Sequence, residues 1–147
     1  MSYLSQEDYD FVFARTPRAC LDFVIHDGMQ RILLIRRTTD PEIGAWHLPG
    51  GRVRLGESTS QAGERILLQE LGINLLQYEL IGYMNMPGEK MAGKADQHSI
   101  SMVFLVTGRS HFVASRSARF FKKAPRKTLA QHRDHLPKFF DKVRAHK

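Results

Sequence analysis

The sequence has almost no cysteine: Cys20 stands alone among 147 residues. A single thiol forms no internal disulfide and supplies no thiolate metal cluster. Long hydrophobic runs are missing as well. The longest, such as 102–106, fall far short of the ~20 residues a membrane-spanning helix needs. Acidic residues (Glu7, Asp8, Asp10) stand near the N-terminus where a secretory signal would carry basic ones, so no targeting segment is expected and the cytoplasm is the expected compartment. Repeats, low-complexity tracts and linkers rich in Pro, Gly or Ser are absent. Hydrophobic residues make up 42% and charged residues 25%, a composition that excludes disorder and provides one hydrophobic core.

Acidic residues are scarce in the C-terminal quarter. Residues 109–147 carry twelve Lys and Arg against two Asp, whereas residues 1–108 carry ten against thirteen acids. The net charge of +7 therefore belongs to the end of the chain. Its field favours anionic ligands. The phenylalanines there (Phe120, Phe121, Phe139, Phe140) come as adjacent pairs that suit core anchoring better than stacking platforms, so nucleic acid is not the expected partner.

The pattern of apolar and turn residues predicts a short helix over 5–14, with Ser5 as its cap. Strands over 18–26 and 31–37 flank the Asp27–Gly28 turn and read as a hairpin. A short extended piece follows at 46–49, then a helix over 58–71, capped by Ser58 or Thr59 and ended by Gly72. Further strands are expected at 77–86 and 98–107, joined by a loop over 87–97. A C-terminal helix over 127–145 should be kinked or divided by Pro137. The expected fold is a single α+β domain, an α/β/α sandwich around a mixed sheet. It divides into an arm (1–17), a sheet-and-helix body (18–108) and a basic segment (109–147).

The chemistry gathers in GRVRLGESTSQAGERILLQELGI, residues 51–73. Glycines at 50 and 51 let the backbone approach a ligand and expose its carbonyl groups. Arg65 and Glu70 lie about 140° apart around the following helix. A hard cation such as Mg²⁺ takes one or two carboxylates together with substrate phosphates, and Glu70 with a loop carbonyl could supply that half-shell.

This segment resembles the signature of the Nudix hydrolases, G-x5-E-x7-R-E-U-x-E-E-x-G-U. Gly51, Glu57, Arg65, Leu67, Glu70, Gly72 and Ile73 fall in register, while Ile66 and Gln69 stand where the family has Glu. The pattern is similar to that of the GDP-mannose mannosyl hydrolase subfamily, over QEDY, RTP, LDF, RRT, W-x-x-PGGRV and E-x7-R-x4-ELG. The resemblance implies a Nudix fold and a Mg²⁺-dependent hydrolase of nucleotide sugars (Mn²⁺ also serving), in which water attacks the anomeric carbon and GDP leaves. Carried over by position, Glu70 and the Gly50 carbonyl hold the metal. Arg36, Arg37 and Arg52 grip the diphosphate, Asp22 contacts the sugar, and Arg65 orients the helix carboxylate. Glu57 is read as structural. Tyr83 is a candidate for stacking on the base. The subfamily's Gln–His pair falls at Ala114 and Ser115 and its sugar-contacting His near Met86, so the proton acceptor is open, with His98 and His111 as candidates. Trp46 and Cys20 read as packing residues, and His47, His132, His135 and His146 as surface or satisfied polar groups. Two alternatives stay open: cleavage of a nucleoside diphosphate derivative at phosphorus, and a catalytically weak nucleotide-binding module. The resemblance also implies a homodimer through the arm, whose Tyr9, Phe11, Val12 and Phe13 must be covered by a second copy or by the chain's own core.

Overall fold

The computed structural model describes residues 4–90 and 96–145. In chain order the elements are α1 (Gln6–Phe13), β1 (Arg18–Ile25), β2 (Ile32–Arg36), β3 (Trp46–His47), β4 (Gly50–Arg52), α2 (Thr59–Leu71), β5 (Leu75–Glu89), β6 (Gln97–Arg109), β7 (Ala118–Phe121), α3 (Ala130–Arg133) and α4 (Leu136–Ala145). They form a four-stranded sheet of order β4-β1-β6-β5 and a three-stranded sheet of order β3-β2-β7. β1 runs parallel to β6 and antiparallel to β4, so the larger sheet is mixed, as expected.

Alternation along β1 sets the layers. Leu21, Phe23 and Ile25 pack with Ala62, Ile66 and Leu67 of α2 on one face. Val24 packs with Met84, Leu105 and, from α4, Leu136, Phe139 and Phe140 on the other. Ile32, Leu34 and Trp46 of the smaller sheet close that second core. Trp46 is buried, as expected, and Arg119 lies 4.9 Å over its ring.

α2 forms where its caps dictate. Ser58 and Gln61 make a reciprocal capping box, and Gly72 ends the helix in the left-handed region at φ 67°. Ser5 caps α1 through the Asp8 amide.

Three expectations are corrected. β1 and β2 are not a hairpin but enter different sheets, joined by a single bridge at His26 and Ile32. The Asp27 carboxylate satisfies the turn, accepting from the Met29 and Arg31 amides and pairing with the Arg31 side chain, after which the strands part. The C-terminal helix divides at Asp134 and His135, before Pro137. Pro137 then sits in the first turn of α4, where its missing N–H leaves no bond unmade. β5 and β6 run further than expected, which shortens the intervening loop; residues 91–95 of that loop lie outside the described residues, as does His146. β4 and β7 had no clear signal in the sequence.

Tyr9 and Phe13 pack on the chain's own sheet. The Arg52 guanidinium lies about 5.5 Å from both rings, and the Arg18 Nη1 donates to the Tyr9 hydroxyl at 2.5 Å. Phe11 is left exposed, with Arg15 stacked on its ring.

Candidate active site

The loop between β4 and α2 is organised by one ion pair. Arg65 donates from Nε and Nη2 to the two Glu57 oxygens at 2.7 and 2.9 Å, and from Nη2 to the Arg52 carbonyl at 2.7 Å. The Arg54 amide donates to the same carboxylate at 2.7 Å. These donors, chiefly Arg65, hold Glu57 down at about 2 against the opposing effect of burial. Glu57 is therefore structural, as expected. Arg65 is corrected: its partner is Glu57, not Glu70.

Hydrogen bonding along β4 aims the Gly50 carbonyl outward. The Phe23 amide donates to Pro49 and the Val53 amide to Ala19, which makes Leu21 and Gly51 the hydrogen-bonded pair. Gly50 and Arg52 lie in the neighbouring non-hydrogen-bonded pairs, so their carbonyls point away from β1. The Arg52 carbonyl is taken by Arg65 of α2. The Gly50 carbonyl belongs to the same outward row. Gly51 meets Ile66 of α2. Glu70 follows Ile66 by one turn and shares its side of the helix. Residue 70 is exposed, while partial desolvation of its carboxyl pushes its pKa upward.

Ile66, at a family Glu position, is 2% exposed and belongs to the core. Gln69, at the other, receives only a long contact from Arg65 Nη1 at 3.4 Å. Among the described residues no group of three His, Cys, Asp or Glu side chains stands close enough to hold a metal. At the positions that the resemblance assigns to the metal, the Glu70 carboxylate and the Gly50 carbonyl are both uncommitted among the described residues. Both are oxygens, and Mg²⁺ is commonly held by one or two protein oxygens, with water and phosphate completing its shell. The residues fit a lightly held cation.

On the face opposite α2, β1 carries Arg18, Cys20 and Asp22 beside Ser99 and Ser101 of β6. Asp22 is 6% exposed and Ser101 Oγ donates to its carboxylate. Burial pushes Asp22 up to about 8. A Cβ on residue 50 would lie 2.3 Å from its Oδ1 and 2.5 Å from the Leu21 carbonyl, which explains the glycine. Burial likewise pushes the Cys20 thiol up to about 11, so it is a packed, protonated thiol.

Two adjoining cavities open beyond this row. The smaller, about 130 Å³, is walled by Arg18, Arg37, Glu89 and Gln131. The larger, about 620 Å³, shares Pro41, Lys90 and Gln131 with it and adds Asn85, Asp134 and His135. That volume suits a small organic ligand. Gln131 Oε1 is buried without a hydrogen-bond partner. The His135 pKa is pushed down, first by burial and then by Lys138, so its imidazole is neutral at neutral pH.

The expected residues divide accordingly. Arg37 reaches the cleft, where it also ties down the carbonyls of Thr39, Asp40 and Pro41. Arg52 is directed to α1 rather than to the cleft, because it shares the face of Cys20 on which Tyr9 and Phe13 pack. Asp22 is sealed between Gly50 and Ser101 and lines neither cavity. Tyr83 is 63% exposed on the outside of β5, where its carbonyl accepts from Lys138. Arg36 is exposed beside Gly44. His98 bonds Asn85 Oδ1 at 2.5 Å, next to the cleft, whereas Ser115 and His111 are exposed in the 110–117 loop. Sequence reasoning did not single out Gln131 and read His135 as a surface or satisfied polar group, since neither belongs to the 51–73 motif. His132, by contrast, is a satisfied core histidine: Nδ1 accepts from the Leu48 amide and burial pushes it down to about 3.

Comparison with known proteins agrees with this frame. The NUDIX domain family model matches residues 16–131. ADP-ribose pyrophosphatase of Methanocaldococcus jannaschii is 33% identical over 90 residues, 61% of this chain and 50% of that protein. The chain thus spans about half the length of that relative. The low-salt glycan biosynthesis protein Agl8 of Haloferax volcanii is 27% identical over 107 residues, 71% of this chain and 67% of that one. Among solved structures, the MutT NUDIX hydrolase of Burkholderia pseudomallei superposes with a TM-score of 0.68 at 29% identity, covering 84% of this chain and 98% of its own. A family match over most of the length, on a fold that sets the 51–73 loop and helix against β4, places the chain in the Nudix family.

Proposed function

We propose that the chain hydrolyses a nucleoside diphosphate sugar at the anomeric carbon, with Mg²⁺ or Mn²⁺, releasing the nucleoside diphosphate and the free sugar. The observation that carries this reading is the depletion of α2. Ile66 is in the core, Gln69 is neutral and Glu57 is consumed by Arg65, so of the signature positions Glu70 alone keeps a carboxylate free to face a ligand. Activating water for attack on phosphorus favours several carboxylates and more than one metal. Neutralising a departing diphosphate requires less.

Glu70 and the Gly50 carbonyl would hold the cation, which supplies positive charge to the leaving oxygens. Arg37, lining the small cavity, adds guanidinium charge from the other side, whereas Arg18 there is paired with Glu89. The 620 Å³ cleft takes the nucleoside or sugar, and Gln131 Oε1 accepts a hydrogen bond from it. His135, which lines that cleft, would accept the proton of the attacking water, the role left open at Ser115. The similarity to Agl8, named for glycan biosynthesis, supports the sugar-nucleotide reading.

A second reading, cleavage at phosphorus, is favoured by the similarity to an ADP-ribose pyrophosphatase. Product analysis separates them. With GDP-mannose and Mg²⁺, the phosphorus spectrum should show GDP alone; GMP with mannose 1-phosphate would overturn the first reading in favour of the second. Exposed Phe11 offers the surface for a homodimer through α1, which light scattering of wild type and Phe11→Ser would test. The buried, protonated Cys20 suits a reducing compartment such as the cytoplasm.

A further inference from the structure

The second concentration of charge lies outside the cleft, around the turn before β3. Two cationic heads meet over Gly44, whose φ of +84° closes that turn. A Cβ built there would lie 3.1 Å from Lys127 Nζ and 3.5 Å from Arg36 Nη2. Two like charges beside one point repel, and neither has a carboxylate partner among the described residues. Arg126 and Arg133 stand at the same place, lining with Lys127 and Thr128 a depression of about 450 Å³. Glu42 lines it too, but its carboxylate is turned to the Ala130 amide at 3.1 and 3.4 Å.

The backbone beneath is fixed. The Trp46 amide donates to Lys127 and the Leu129 amide to Trp46, both at 2.8 Å. Arg37 and Ala45 are joined at 2.8 Å, and the Gly44 amide donates to Arg37 at 2.7 Å. Arg133 Nη2 donates to the Thr128 carbonyl at 3.1 Å, which holds its guanidinium over the depression. The segment 126–129 and the end of β2 are thereby locked together, so these cations converge on a preformed frame rather than on a frayed end. Planar guanidinium forks beside an ammonium match the oxygens of a phosphoryl group.

We propose that Arg36, Arg126, Lys127 and Arg133 form an anion site for a phosphoryl group, separate from the metal-binding side of α2. Its ligand is a phosphate-bearing small molecule: either free phosphate or pyrophosphate, or the outlying phosphate of a nucleotide seated in the neighbouring cleft, with which the site shares Glu42. The site does not depend on the proposed reaction, because binding is read without turnover.

Titration calorimetry with inorganic phosphate and with pyrophosphate, without metal and at low and high salt, tests it. The double variant Arg36→Gln, Lys127→Gln should weaken Kd at least about tenfold. The variant Lys122→Gln, Lys123→Gln removes the same charge elsewhere on the basic segment and should bind as wild type. Equal loss in the two variants, or no saturable binding to wild type, overturns the proposal. All of these side chains are exposed, so unfolding midpoints should stay near wild type. A parallel fall in kcat/KM for a nucleotide substrate identifies the substrate's own phosphate as the source, and an unchanged kcat/KM identifies the free anion. Tight binding of single-stranded RNA, with no binding of the small anions, would assign the surface to nucleic acid and refute the phosphoryl site.

Discussion

Replacing Asp22 with Asn should stabilise the fold at neutral and mildly alkaline pH and flatten its pH dependence there. Burial moves this carboxyl from 3.8 to about 8, against the opposing pull of Ser101. The unfolded chain releases the proton near 3.8, whereas the native state keeps it to about 8. Across that window the native state binds one more proton, so stability falls as pH rises. About four units at ~1.4 kcal/mol each make the loss roughly 6 kcal/mol by the upper end. Asparagine is nearly isosteric, can still accept from Ser101 and carries no charge to desolvate. Urea unfolding followed by circular dichroism between pH 4 and pH 9 gives both curves. They should converge near pH 4 and diverge as pH rises, with the variant more stable. Parallel curves would refute the reasoning. The acid limb should persist in both, because it belongs to other groups. His132, neutral in the core down to about 3, costs stability below 6.5 as the unfolded chain takes up a proton. Glu57, held at about 2, loses its contribution below 4.5.

Three further outcomes follow from the site. Glu70→Gln should lower turnover by ~10²–10³ while leaving the fold intact, the usual loss for one transition-state charge contact; unchanged turnover would remove Glu70 from the reaction. Arg65→Ala strips Glu57 of its main partner and should cost about 2–4 kcal/mol in chemical denaturation, more at pH 7 than at pH 3; an equal cost at both would deny the ion pair its role. Gly50→Ala drives a methyl to within 2.5 Å of the Leu21 carbonyl, which β1 cannot move aside. A loss of about 2 kcal/mol or more is expected, read by thermal unfolding, and a wild-type midpoint would contradict the close approach.

What could be read from the sequence was local. The caps of α2, Ser58 and Gly72, and of α1, Ser5, lie within a few residues of what they cap, so the helices were legible. The Asp27–Gly28 turn was legible too, but which sheet each flanking strand joins depends on partners about 80 residues away, such as Ser99 and Phe120. The hairpin reading failed for that reason. The 51–73 spacing located the loop and helix that are proposed to hold the metal. The direction of its side chains was not legible: Arg52 turns toward α1, and Arg65 takes Glu57, because the arm and loop compete for those guanidiniums. Gln131 was not singled out, and His135 was read as a surface or satisfied polar group, because only the packing of α3 and α4 brings them to the cleft.

The central claim is that a helix whose signature positions keep one free carboxylate, Glu70, supports loss of a diphosphate from a sugar carbon rather than attack on phosphorus. Turnover of a nucleoside diphosphate sugar in water enriched in oxygen-18, with both products weighed by mass spectrometry, tests it directly. The label should appear in the sugar hydroxyl and be absent from the nucleotide. Label in a phosphate oxygen, with an unlabelled sugar moiety, would contradict it.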